Sequence, residues 1–379
     1  MIRGAYLTLI GMLSCFCFGA DTPVADELNP IASVAITDNL LAVDEDPPTV
    51  APADVPDSGE RATSGLDEAP TRDIKTSLFD IEVLGLRQVP DGQAVASASS
   101  RPPDDSDDEA AAAEQPSEWV VHDDYRRAMA EAAEDRKMLF IYFHEPKPNA
   151  ASRAFEAETL AKFEIQEKLR RYVFLKLPRD ARITVGGKSI ALLDHPAFAE
   201  MRGRQGVAII DLGHERAEYY GRVVSAFPFT RGKYYRKEAL SIILDLPPGT
   251  LTQRTMIFAV RIHPERPAST QGQLNTALTE EAKQHAFYQA SIQVQGHHSW
   301  DTRFQRINAK LPSGVLAQEV VAESWPNEDL VEACIDCVHS WRQSPGHWGA
   351  VRSRHPLFGY DIKRGRNGIW YATGIFGKR

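Results

Sequence analysis

Histidine and glutamate side chains in the last third of the sequence are the groups best suited to chemistry. A histidine pair occurs at His297 and His298, a glutamate follows at Glu319, and His347 comes directly after Ser344-Pro345-Gly346. Two neutral imidazoles and a carboxylate that meet in a cleft can hold a divalent metal such as zinc or calcium. They can also act as acid and base near neutral pH. These residue types indicate a metal site or an acid–base site, provided that the fold brings them together.

Cysteine chemistry is the second possibility. Cys334 and Cys337 form a Cys-x-x-Cys motif in a segment that is predicted to be helical from about Glu328. Positions i and i+3 share a helix face, but a disulfide between them would be strained. Two thiolates alone are half of a tetrahedral zinc site. Packing in the core is the preferred interpretation, and a redox role or a metal half-site are the alternatives.

Strands and helices alternate between residues 119 and 250, which predicts an α/β layer fold. The predicted helices are 125–136, 152–171 and 196–201, and the predicted strands are 138–143, 172–177 and 207–212. The sequence Leu246-Pro247-Pro248-Gly249 marks the end of this region.

This order of elements resembles the thioredoxin-like superfamily. Active members place Cys-x-x-Cys directly after the first buried strand, where a helix N-terminus activates the first thiolate. The corresponding stretch, His144 to Ala150, contains no cysteine, and Gln205-Gly206-Val207 stands where the family has a cis-proline. The resemblance therefore implies a scaffold or binding domain over 119–250 without thiol–disulfide chemistry.

Several motifs follow one another in a fixed order in the last part of the chain, 251–379. A helix around 280–286 precedes Gly296-His297-His298, Glu319 to Trp325 follows, and a helix near 329–342 ends in Trp341-x-x-Ser344-Pro345-Gly346-His347. A strand-like segment, 368–376, closes the region. This order resembles the CAP superfamily of cysteine-rich secretory, antigen 5 and pathogenesis-related proteins, in its short bacterial SCP-like form. The resemblance covers 271–376 and implies an α-β-α sandwich for the domain 251–379.

The CAP resemblance also implies the site residues. His297, Glu319 and His347 would form the ligand-binding and metal-binding cleft, with His298 as the alternative to His297, and Trp348 would line the cleft mouth. Two positions depart from the family pattern, since Val320 replaces an asparagine and Gly374 stands where many members have glutamine. These departures favour binding over catalysis.

The first 118 residues differ from the rest. Residues 1–20 have a basic start, a short apolar run and small final residues, which predicts a secretory signal peptide. Cys15 leaves lipoprotein anchoring as a minority alternative. Residues 21–118 carry a net charge of about −18 and are rich in Pro, Ala and Ser, which predicts a disordered acidic linker. No apolar run is long enough for a transmembrane segment.

The sequence therefore predicts a secreted, periplasmic or cell-surface protein with α/β and α+β architecture. Its basic residues are spread evenly over 119–379, which argues against a nucleic-acid partner. The preferred function is binding of a small molecule, lipid or extracellular protein or peptide, and binding is favoured over enzymatic activity. A peptidase-like hydrolase that uses His297, Glu319 and His347 is the first alternative, and a thiol–disulfide redox protein is the second.

Overall fold

The computed structural model describes residues 120–185, 187–230 and 233–379. The predicted signal peptide, the possible lipid attachment at Cys15 and the whole predicted linker, 21–118, lie outside the described residues. All described residues belong to one compact unit. The chain has mixed α/β architecture, as its sequence predicts.

The first half of the described chain is built on a five-stranded mixed sheet in the order β1-β3-β2-β6-β7. Strands β1, β3 and β2 are parallel, whereas β6 and β7 run antiparallel to their neighbours. Strands β4 and β5 form a separate antiparallel pair. The strands are β1 Val121–His122, β2 Met138–His144, β3 Tyr172–Pro178, β4 Arg182–Val185, β5 Lys188–Ala191, β6 Gly206–Ile210 and β7 Val223–Pro228.

The α-helices that accompany this sheet are α1 Tyr125–Glu134, α2 Ala150–Ala154, α3 Phe163–Leu169 and α4 Lys237–Leu244. The predicted strands and the helix α1 are confirmed, and 196–201 forms a 3₁₀ helix. The single helix predicted over 152–171 is wrong. After α2 the chain widens into a π-type turn, Phe155–Leu160, and Lys162 is extended before α3 begins. This break lets Phe155, Leu160 and Ile165 all reach the core.

The second half contains a four-stranded sheet in the order β8-β10-β11-β9. Strand β10 is antiparallel to β11 and parallel to β8, and β11 is antiparallel to β9. The strands are β8 Gln273–Leu274, β9 Leu316–Glu323, β10 Leu357–Arg364 and β11 Trp370–Lys378. The helices are α5 Leu251–Ile262, α6 Thr276–Ile292, α7 Trp300–Asn308, α8 Leu330–Gln343 and α9 Pro345–Arg352.

Helices cover both faces of this second sheet. Helix α6 packs on β10 and β11, and Ile375 shares a core with Leu278 and Ala282 of this helix. Phe376, the next residue of β11, faces the opposite core with Trp341 of α8. Because neighbouring strand residues point to opposite faces, the layers are helix, sheet and helix.

Helix α5 joins the two halves through a single core. It packs on β10 and α8 and also on β7, where the rings of Phe227 and Phe258 are 4.7 Å apart. Arg254 of α5 is fully buried and donates hydrogen bonds to Ser225 and to the carbonyls of Leu246 and Pro247. The predicted boundary at 246–249 is therefore a turn in the chain within continuous packing.

Helix α6 lies close against the sheet at Gly359. A Cβ on this residue would lie 2.4 Å from the backbone nitrogen of Thr279. We expect Gly359→Ala to lower the free energy of unfolding by about 1–3 kcal/mol, because α6 must move away from β10. Gly349→Ala is the matched control, since a Cβ there meets nothing within 4 Å. Equal unfolding midpoints of the two variants in urea would contradict this packing.

Candidate functional site

The site lies where a loop, a strand and a helix start come together. His297 is in the loop between α6 and α7, Glu319 is on β9, and His347 is the third residue of α9. The loop begins where α6 ends at Gln293, which has a left-handed backbone conformation with φ of 58°. Gln289 of α6 then fixes the loop, because its side-chain oxygen accepts a hydrogen bond of 3.1 Å from the Gly296 backbone. The helix end thus determines the position of His297.

The structure brings His297, Glu319 and His347 together. The Nδ1 atom of His297 is 3.0 Å from Oε1 of Glu319, and its Nε2 atom is 3.4 Å from Nε2 of His347. A carboxylate only accepts hydrogen bonds, so Nδ1 of His297 carries the proton. In neutral His297 the Nε2 lone pair therefore faces His347.

Glu319 is the buried anchor of the site, with 1% of its side chain exposed. Arg303 of α7 binds both carboxylate oxygens, one of them at 3.1 Å. Burial alone would raise the pKa of Glu319, but the hydrogen bonds from His297 and Arg303 and the charge of Arg303 outweigh it. The pKa of Glu319 is therefore lowered, and the residue stays ionised at neutral pH.

His285 of α6 lies behind this pair. Its Nε2–H donates a 2.9 Å hydrogen bond to the carbonyl of Gly296 and is 3.7 Å from Glu319. Burial lowers the pKa of His285 to about 4, although the charge of Glu319 acts in the opposite direction. A neutral His285 thus holds the loop that carries His297.

His347 lies at the start of a helix and does not follow an isolated turn. Ser344 ends α8 and precedes α9, and Pro345 occupies the first position of α9, where its missing N–H is not needed. Burial and the neighbouring His297 both lower the pKa of His347. Its imidazole is consequently neutral at pH 7 and can offer a lone pair or a proton donor.

The two remaining candidates point elsewhere. His298 turns back to its own loop, with Nε2 3.1 Å from the Val294 carbonyl, so His297 is the histidine that faces Glu319. Trp348 was expected at the cleft mouth, but its indole N–H donates to Glu265 and its ring packs on His263. That expectation is wrong because neighbouring residues on α9 project in different directions.

The carboxylate of Glu319 already binds Arg303 and His297. The Nε2 atoms of His297 and His347 are left as the nitrogens that can coordinate a metal. Within the described ranges, no group of three or more His, Cys, Asp or Glu side chains is arranged to hold a metal ion. The three-ligand set expected from sequence is therefore not present as a ready coordination shell. The site offers two metal ligands, His297 and His347, and Glu319 orients the ring of His297.

Cys334 and Cys337 both lie in the core on α8. Burial raises the pKa of both thiols well above the usual range. Such thiols are poor nucleophiles, and their surroundings are typical of packing cysteines.

Arg303 and His285 were missed in the analysis of the sequence. Arg303 is one of several polar residues on α7, and His285 is one of several on α6. No local pattern distinguishes them, because their roles depend on contacts with β9 and with the loop at Gly296.

The sequence matches no protein-family model and no curated protein. Among solved structures it is similar to an outer surface protein from Borrelia burgdorferi, with 22% identity and a TM-score of 0.24. The match covers 28% of this chain and 77% of that protein. Among the described helices, none is both long and apolar enough to cross a bilayer.

Proposed function

We propose that this chain is an exported binding protein whose cleft holds a zinc-type divalent metal between His297 and His347. The observation that carries the proposal is the pair of Nε2 atoms that face each other at 3.4 Å. Two nitrogens that are each about 2.0–2.1 Å from one tetrahedral ion lie about 3.4 Å apart. The ligand atoms are imidazole nitrogens, which zinc commonly binds. Calcium prefers oxygen ligands, so this pair favours zinc over calcium.

Glu319 acts here as a positioning residue. Histidine ligands of metals commonly donate their second N–H to a carboxylate, which fixes the tautomer and the ring orientation. His297 has this arrangement, and Arg303 holds the carboxylate in turn. With two protein ligands, a bound metal would keep positions open for water or for a small ligand. The function supported best is recognition of an external molecule at that opening.

The alternative hydrolase gains less support from the same geometry. In that alternative His297, Glu319 and His347 would act together on a water, but Glu319 is buried, ionised and paired with Arg303. Catalysis would need a base that reaches the reacting water. We therefore prefer binding to hydrolysis.

We also propose that the two sheets correspond to the two resemblances seen in the sequence. The mixed sheet order β1-β3-β2-β6-β7 is compatible with a thioredoxin-like scaffold, and the helix-sheet-helix layers of 251–379 are compatible with a CAP domain. The stretch 144–150, where redox members carry cysteines, has none, so the first half serves as a scaffold. An exported location is expected from the N-terminal sequence.

Zinc titration of the full chain tests this proposal. We expect zinc to bind the wild type and to raise its melting temperature, because a ligand that binds only the folded state stabilises it. His297→Ala and His347→Ala are both expected to abolish the shift, since each removes half of the donor set. Isothermal titration calorimetry at neutral pH measures the affinity directly.

His298→Ala is the matched control, because this neighbour bonds to Val294 and not to the cleft. It should bind zinc as the wild type does. Undiminished zinc binding by His347→Ala, or an equal loss in His298→Ala, would refute the assignment.

A further inference from the structure

A groove of about 790 Å³ runs along α9, and its lining differs from that of the histidine cleft. Gly346, Gly349 and Ala350 of α9 form its floor, and Arg354, Lys378 and Arg379 contribute its charged side chains. The volume lies within the range of about 300–1,000 Å³ that is typical of small-molecule sites.

The floor of this groove is open. A Cβ at Gly346 or at Gly349 would meet nothing within 4 Å, so these positions border free space. A bound molecule can therefore lie directly on the backbone of α9. An uncharged, flat part of a ligand suits this surface, because Gly346 and Gly349 have no side chain that would separate the ligand from the helix backbone.

The charged side chains of the groove are all basic. None of the described residues that line it has an acidic side chain. Arg354 and Lys378 form no ion pair with a described residue, whereas Arg306 and Lys310, elsewhere in the same half of the chain, both pair with Glu281. The positive charge of Arg354 and Lys378 is thus not paired within the described ranges, and such charge attracts anions.

His355 also lines the groove but adds no charge. Its ring stacks on Phe376 with centroids 4.5 Å apart, and its Nε2–H donates to the carbonyl of Ala350. Burial lowers the pKa of His355, so it is neutral at pH 7. His355 therefore forms part of the groove wall, and the positive charge comes from the arginine and lysine side chains.

We propose that this groove binds a small organic anion, with its carboxylate or phosphate held by Arg354 and Lys378 and its uncharged body over Gly346 and Gly349. A guanidinium offers two parallel N–H donors to one oxyanion, and the lysine ammonium adds a point charge. The site is separate from the histidine pair, and its ligand needs no metal.

The test uses the full chain and three probes: phenyl phosphate, benzoate and inorganic phosphate. Calorimetry on protein that has been stripped of metal with a chelator, and then freed of the chelator by gel filtration, keeps the result independent of the zinc proposal. We expect phenyl phosphate and benzoate to bind. Inorganic phosphate should bind more weakly, because it has no aromatic ring to lie over Gly346 and Gly349. In the double variant Arg354→Gln/Lys378→Gln the affinity should fall at least about tenfold, since two charge-assisted contacts are lost.

Arg352→Gln is the matched charge control, because Arg352 is exposed at the end of α9, two residues before Arg354, but does not line the groove. It should bind all probes as the wild type does. Gly349→Leu tests the floor: it should reduce phenyl phosphate binding to the level of inorganic phosphate and leave the latter unchanged. The proposal is overturned if no probe binds, if the double variant binds normally, if Arg352→Gln loses as much affinity, or if Gly349→Leu has no effect.

Discussion

Replacement of Glu319 by alanine is expected to lower the free energy of unfolding by about 3–5 kcal/mol, because it leaves a buried guanidinium without a partner. Arg303 is 9% exposed in its side chain and directs two N–H groups at the lost carboxylate. His297 would lose the acceptor of its Nδ1–H as well. Equilibrium unfolding in urea at neutral pH measures the change.

Two further variants distinguish this explanation from a general weakness of β9. Glu323→Ala, at the exposed end of the same strand, should change stability little. The double variant Arg303→Met/Glu319→Leu should recover most of the loss, because a buried ion pair can often be replaced by apolar residues of similar volume. If the double variant is as unstable as Glu319→Ala, the unpaired charge is not the cause.

Acidification is expected to destabilise the protein through His285. The pKa of this histidine is about 4 in the folded chain and about 6.5 when unfolded. Below about pH 6.5 the unfolded state therefore takes up a proton that the folded state does not. The stability is fully present above about pH 6.5 and is lost progressively as the pH falls towards about 4, by about 3 kcal/mol in total.

The variant His285→Gln isolates this effect, since glutamine retains an N–H donor for the Gly296 carbonyl but has no proton to gain. Between about pH 7 and about pH 5 the wild type should lose about 2 kcal/mol more than this variant. His339→Gln removes an exposed histidine of α8 and serves as the control. Parallel stability profiles for the wild type and His285→Gln would contradict the folded-state pKa.

The sequence was sufficient to predict elements whose signals are local. Strand β2 is a continuous apolar run over Met138 to Phe143, and β3 is apolar except at Lys176, as expected of buried parallel strands. Helix α1 has the Ala-rich composition of a helix. The break between α2 and α3 has no such signal, because neither proline nor glycine marks it. Packing of Phe155 in the core decides the conformation there.

In the candidate site, too, some residues could be predicted from the sequence and others depend on tertiary contacts. His297, Glu319 and His347 were predicted by resemblance to an ordered set of motifs, and the fold does place them side by side. The direction of Trp348 and the role of Arg303 depend on which faces of α9 and α7 meet the sheet. That orientation arises only from tertiary contacts, so no pattern in the chain could predict it.

The packing of α5 limits the motions that are available to the molecule. Its side chains pack in the core under β7 and also in the core under β10. Arg254 links the helix to the preceding turn by hydrogen bonds to the carbonyls of Leu246 and Pro247. A hinge needs a segment with few contacts on at least one side, and the described chain has none at this turn. The continuous core therefore opposes a hinge between the two sheets, and a ligand of the solvent-exposed pair His297 and His347 would reach it without one.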